Sequence, residues 1–94
     1  MHAERVRAVV EKYTHLLDAR GVKPKRAPTG QKLCLSNLVL EHCAWMLVQM
    51  KQMYANGEYE KFNRWLGFIQ GCLWSSGSYS IDEMREDNRP PASL

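Results

Sequence analysis

Two apolar seams joined by a tight turn constrain this chain most. Leu40, Cys43, Leu47, Met50 and Tyr54 recur at steps of three and four residues, and so do Tyr59, Phe62, Leu66, Ile69 and Leu73. That period lines each set along one face of a helix. Val39, Met46 and Met53 widen the first seam. Asn56-Gly57 stands between the two as a stop, and so short a connection leaves the helices no choice but to pack on each other. The expectation is an antiparallel helical hairpin over 30–55 and 58–75.

The flanking segments complete an all-α reading as a single domain. Val6, Val9, Val10, Tyr13, Leu16 and Leu17 form one amphipathic stripe, which predicts a first helix over 3–20. Gly21 follows as its left-handed cap. Pro24 and Pro28 keep the basic loop at 21–29 out of helix. Thr29 or Ser36 can cap the second helix, whose start is placed near Gly30. Ser80-Ile81-Asp82-Glu83 has capping-box spacing and opens a short helix over 81–87, followed by a tail at 88–94.

The segment EKFNRWLGFIQGCLW, Glu60 to Trp74, holds two glycines four residues apart in the most hydrophobic part of the chain. Each costs roughly 0.8–1 kcal/mol against alanine inside a helix. Gly67 and Gly71 lie off the seam, on a side shared with Arg64 and Trp74, while Trp65 and Cys72 flank the seam. Glycines so placed let another backbone approach closely. That backbone is the first helix packing over them, another subunit, or a ligand. On the second helix, Leu38, Trp45 and Val48 also point away from the hairpin seam. Apolar surface on two sides of both helices predicts a homo-oligomer, with Trp45, Trp65, Gly67, Gly71 and Trp74 at packing or subunit contacts.

Size points the same way. A chain of 94 residues buries only about 60–65% of its unfolded surface and gains from an added stabiliser. The three cysteines, Cys34, Cys43 and Cys72, form no C-x-x-C pair and sit among apolar residues, which suits free thiols in a reducing cytoplasm. The opening MHAERVRAVVEKY has no apolar stretch of signal-peptide type, and no run of 18 apolar residues predicts a membrane span.

Net charge is +3, unevenly spread. Residues 1–32 carry eight Lys or Arg against three Asp or Glu, whereas residues 33–94 carry five against seven. The positive charge gathers around GVKPKRAPTGQK, where Lys23, Lys25, Arg26 and Lys32 bracket Thr29 and Gly30. Lys and Arg attract phosphate, a threonine hydroxyl can bond to it, and a tyrosine ring can stack on a base. Tyr13, Lys25, Arg26 and Thr29 are therefore candidate ligand-binding residues, with Arg64 reaching in across a subunit boundary. The other reading is a solvated basic loop with Tyr13 in the core.

Catalytic chemistry finds no footing. The phosphate-loop, dinucleotide and nucleophile-elbow glycine motifs are absent. His42 and Cys43 are adjacent, so on a helix they diverge by about 100° and read as packing residues rather than a nucleophile and its base. Glu58, Glu60, Asp82, Glu83, Glu86 and Asp87 read as helix-start and solvated-face carboxylates. No catalytic residue, metal ligand or cofactor is expected.

His42-x-x-Trp45-Met46, the run from Glu60-Lys61 through Arg64-Trp65-Leu66-Gly67-Phe68-x-Gln70-Gly71-x-Leu73-Trp74, and Ile81-Asp82-Glu83 together resemble a group of small phage and prophage proteins, over about Leu38 to Asn88. That resemblance implies a phage accessory protein in the host cytoplasm. Tyr13, Lys25 or Arg26, and Thr29 are also similar in kind and order to residues of phage proteins that sequester cyclic-nucleotide defence signals, which are small helical-hairpin oligomers. The implied function is anti-defence by binding. Sequestration of a cyclic or linear nucleotide immune signal is favoured, inhibition of a host defence protein complex is second, and nucleic-acid binding is third.

Overall fold

The computed structural model describes residues 3–28, 30 and 36–88. Their regular elements are four helices, with no strand among them: α1 is Ala3–Ala19, α2 Ser36–Met53, α3 Tyr59–Ser75 and α4 Ile81–Asn88. Gly30 lies in a turn, and the start of α2 expected near it, with its candidate cap Thr29, falls on residues outside the described ones. Among the described residues, no helix is long and apolar enough to cross a membrane.

Three helices end in the same way. Gly21 N–H donates to the Asp18 carbonyl at 2.9 Å and Val22 N–H to the Leu17 carbonyl at 3.0 Å, with Gly21 at φ +75°. This pair satisfies two carbonyls that a helix end leaves open, and the left-handed residue between them is one where a Cβ would strain. Gly57 and Gly77 close α2 and α3 with the same pair of bonds, from Gly57 and Glu58 to Tyr54 and Met53, and from Gly77 and Ser78 to Trp74 and Leu73. α4 opens as its spacing predicts. Glu83 N–H donates to Ser80 Oγ at 3.1 Å and Ser80 N–H to Glu83 Oε1 at 3.2 Å.

α2 packs against both α1 and α3. Just past the end of α2 the chain meets the start of α3, where Tyr54 sets its ring edge-on to Phe62 at 5.6 Å, and Trp45, in the middle of α2, lies 6.0 Å from Trp65 further along α3. The apolar stripes of the three helices merge into one core around Tyr13, Leu17, Leu47, Met50, Phe62, Ile69 and Leu73. Burying one such side chain contributes roughly 1.5–3 kcal/mol. Met46 and Met53 are buried, as the widened seam predicts. Tyr59 is not: it is half exposed and meets Tyr54 edge-on at 4.8 Å instead.

The structure removes one of the three readings of the glycines and corrects the placement of one acid. Gly67 and Gly71 are exposed, and a Cβ built on either would meet nothing within 4 Å. α1 therefore does not pack over them, and no close contact among the described residues requires them. Asp87, expected on a solvated face, is only 5% exposed. Its carboxylate accepts hydrogen bonds from Tyr13 Oη at 2.8 Å, Tyr79 Oη at 2.7 Å and Lys12 Nζ at 3.0 Å. Burial alone would raise its pKa, but the bonds from Tyr79, Lys12 and Tyr13 outweigh that and hold it below the ordinary carboxylate value. Arg5 adds a clamp on the C-terminus of α4, donating to the carbonyls of Glu86 and, at 3.1 Å, Asp87. A cation there also complements the helix dipole. With Ile81 half exposed and Met84 only partly buried, α4 is docked chiefly by polar contacts.

Candidate ligand-binding groove

The basic loop is held to α2 at two points. Lys25 N–H donates to the Glu41 carbonyl at 3.1 Å, and Ala27 N–H donates to His42 Nδ1 at 3.0 Å. An accepting Nδ1 requires the neutral ring. Burial, followed by the positive charge of Arg26, lowers the His42 pKa and favours that form. The ring also stacks on Trp45, with centroids 5.5 Å apart and planes 28° apart. His42 is thus a scaffold residue that fixes both the loop and a tryptophan.

Between these anchors Arg26 turns onto Trp45, its guanidinium carbon 5.2 Å from the ring centroid. Across the helix pair Trp65 carries Lys61 in the same way, at 5.3 Å. Lys61 precedes Trp65 by one helical turn, the spacing at which side chains on a helix surface meet. The two indoles touch at 6.0 Å with a tilt of 35°. They form the aromatic wall of a groove of about 390 Å³, with Arg26 and Lys61 beside Gln49, Gln52, Met53 and Glu58. Cation on indole at such a surface is worth about 0.5–1 kcal/mol, so either cation is released at small cost to a stronger partner.

The structure brings some expected residues together and separates others. Arg26 and Trp45 meet, and Trp65 joins them. Lys25 is exposed beside Arg26 and uses its backbone to anchor the loop. Thr29 lies outside the described residues. Arg64 is exposed on α3, in a shallow depression with residues 57–61. Trp74 is 54% exposed and does not contribute to the groove.

Tyr13 is corrected: it is fully buried, its ring edge-on to Tyr79 at 5.4 Å, its hydroxyl bonded to Asp87 and accepting from Gln70 Nε2 at 3.0 Å. Burial pushes its pKa up. No face of that ring is open for a base to stack on. Lys61 was missed by the sequence reading, although its spacing from Trp65 marks it.

Cys43 and Cys72 are free thiols, Cys43 fully buried and Cys72 partly so, and the neighbouring Cys72 thiol, followed by burial, pushes the Cys43 pKa up. Among the described residues no group of three or more His, Cys, Asp or Glu is arranged to hold a metal ion. No protein-family model matches the chain, and no curated protein or solved structure is detectably similar to it.

Proposed function

We propose that the protein acts by binding, and that the groove walled by Trp45 and Trp65 takes a nucleotide. One observation carries this reading: two indoles in contact, each covered by its own cation, share one groove of ligand size. A planar base stacks on an indole face in place of the guanidinium or ammonium. The displaced cation then turns to the phosphate, where a charge-assisted hydrogen bond is worth roughly 1.5–3 kcal/mol, more than the cation–indole contact it leaves. Gln49, Gln52 and Glu58 supply amide and carboxylate groups for the polar edge of the base. On this reading the ligand is held rather than transformed. On the α2–α3 hairpin, the role that fits the resemblance to phage proteins is sequestration of a nucleotide immune signal in the host cytoplasm.

Calorimetry across linear and cyclic nucleotides tests this. The expected result is heat with at least one of them, lost on Trp45→Ala or Trp65→Ala. Arg26→Ala combined with Lys61→Ala removes two charged hydrogen bonds and is expected to weaken binding at least about a hundredfold. No heat from any nucleotide, together with capture of a host protein, would overturn the reading in favour of an inhibitor of a host complex.

A further inference from the structure

The chain has three tryptophans, and two of them carry a cation from their own copy: Trp45 has Arg26 and Trp65 has Lys61. Trp74 has none among the described residues and is 54% exposed. It sits off the core stripe of Phe62, Leu66, Ile69 and Leu73, about 100° round α3 from Leu73. Arg64, also exposed and without a side-chain partner among the described residues, lies on that same face. The spacing of Arg64, Gly67, Gly71 and Trp74 is three, four and three, a single helical stripe. Phe68, 52% exposed, borders it.

Within one copy Arg64 and Trp74 stand about 15 Å apart along the helix axis, too far to meet. Across a two-fold axis they meet without adjustment of register. Two α3 helices laid antiparallel about the midpoint of Gly67 and Gly71 set residue 64 of one copy opposite residue 74 of the other, twice. At the crossing, Gly67 of one copy faces Gly71 of the other, and the space beyond both is open. The stripe is thus electrostatically self-complementary, a cation at one end and an uncovered indole at the other.

We infer that the outer face of α3 is a self-association surface, on which two copies meet antiparallel about a two-fold axis and each Arg64 covers the other copy's Trp74. This goes beyond the nucleotide reading and does not depend on it. The area sets the strength. Aromatic side chains bury roughly 150–250 Å² each when covered, so half-exposed Phe68 and Trp74 leave about 200 Å² per copy to be hidden. With Arg64 and the glycine backbones added, the contact falls at or below the roughly 1,200 Å² lower end of stable interfaces, which predicts a weak dimer in the micromolar range or above.

Sedimentation velocity of the full chain over about 1–200 μM spans that range. The expected result is a concentration-dependent monomer–dimer equilibrium. Arg64→Ala and Trp74→Ala should each weaken it about tenfold, since each removes both symmetric contacts. The double variant should be no worse than the weaker single, because the two side chains act as one contact. Circular dichroism should stay unchanged, as neither residue touches the core. Nucleotide heat should survive Trp74→Ala, which separates this surface from the groove. A monomer at every concentration would overturn the inference. So would a dimer indifferent to both variants, losses that multiply in the double variant, or a chain that stays monomeric and binds another protein through Trp74.

Discussion

The hydroxyl of Tyr13 lies 2.8 Å from Oδ2 of Asp87, two buried groups 74 residues apart in sequence. This bond ties α1 to the last turn of α4. The same carboxylate also takes Tyr79 and Lys12, and Gln70 of α3 donates to the Tyr13 hydroxyl, so three helices share one polar cluster. No buried side-chain nitrogen or oxygen among the described residues lacks a partner. A satisfied buried network of this kind specifies one arrangement, because every alternative leaves a polar group unpaired.

Asp87→Ala should therefore destabilise the protein by about 2–4 kcal/mol, since it removes the acceptor of the Tyr13 and Tyr79 hydroxyl protons and of Lys12. Asp87→Asn keeps an acceptor for the hydroxyls and should cost less. Urea denaturation followed by circular dichroism measures both. A loss below about 0.5 kcal/mol for the alanine variant, the range of an ordinary surface substitution, would show that the cluster is peripheral.

Acid should act through the same carboxylate. Its folded pKa lies below the ordinary value of about 3.9, so the unfolded chain takes up the proton first. The contribution of Asp87 is thus fully present above about pH 4 and is lost as pH falls through its folded pKa. Melting temperature between about pH 5 and 3 should fall more steeply for the native chain than for Asp87→Asn, which has no such proton to take up.

His42 predicts a second, milder loss at higher pH. Its folded pKa is depressed, so the neutral ring is the folded form and stability is lost as pH falls below about 6.5. The structural event is loss of the acceptor for Ala27 N–H, which frees the loop carrying Arg26. Amide exchange at Ala27 should speed up between about pH 7.5 and 5.5 beyond the intrinsic pH trend. In His42→Gln, whose amide oxygen accepts at any pH, that extra acceleration should vanish; if it persists, the histidine is not the anchor.

Gly67→Ala and Gly71→Ala should each stabilise the monomer by about 0.8–1 kcal/mol, the ordinary preference for alanine inside a helix. A Cβ at either position meets nothing within 4 Å. The same substitutions should weaken self-association, where the two glycines face each other. Thermal melts at low concentration and sedimentation at high concentration should move in opposite directions.

Helix existence, the glycine-capped helix ends, the start of α4 and most of the core were legible in the sequence. Three- and four-residue spacing, glycine stops and the Ser80–Glu83 box act over one or two turns, so their meaning is contained in neighbouring residues. The side to which a polar or aromatic residue is turned was not. Tyr13 reads equally as a core residue or a stacking platform until the position of α4 is known, because its hydroxyl is satisfied by a residue near the other end of the chain. Asp87 reads as one more solvated acid of a short polar helix, since burial of a carboxylate depends on donors from α1 and from Tyr79 rather than on its own neighbours. The pairing of Trp45 with Trp65 follows from the register of two helices, and the placement of Arg26 over Trp45 from a loop pinned by His42. Local periodicity determined which segments are helical and which faces are apolar. Tertiary packing decided which polar groups the core admits and which cations come to rest on the indoles, because those choices turn on contacts between residues distant in the chain.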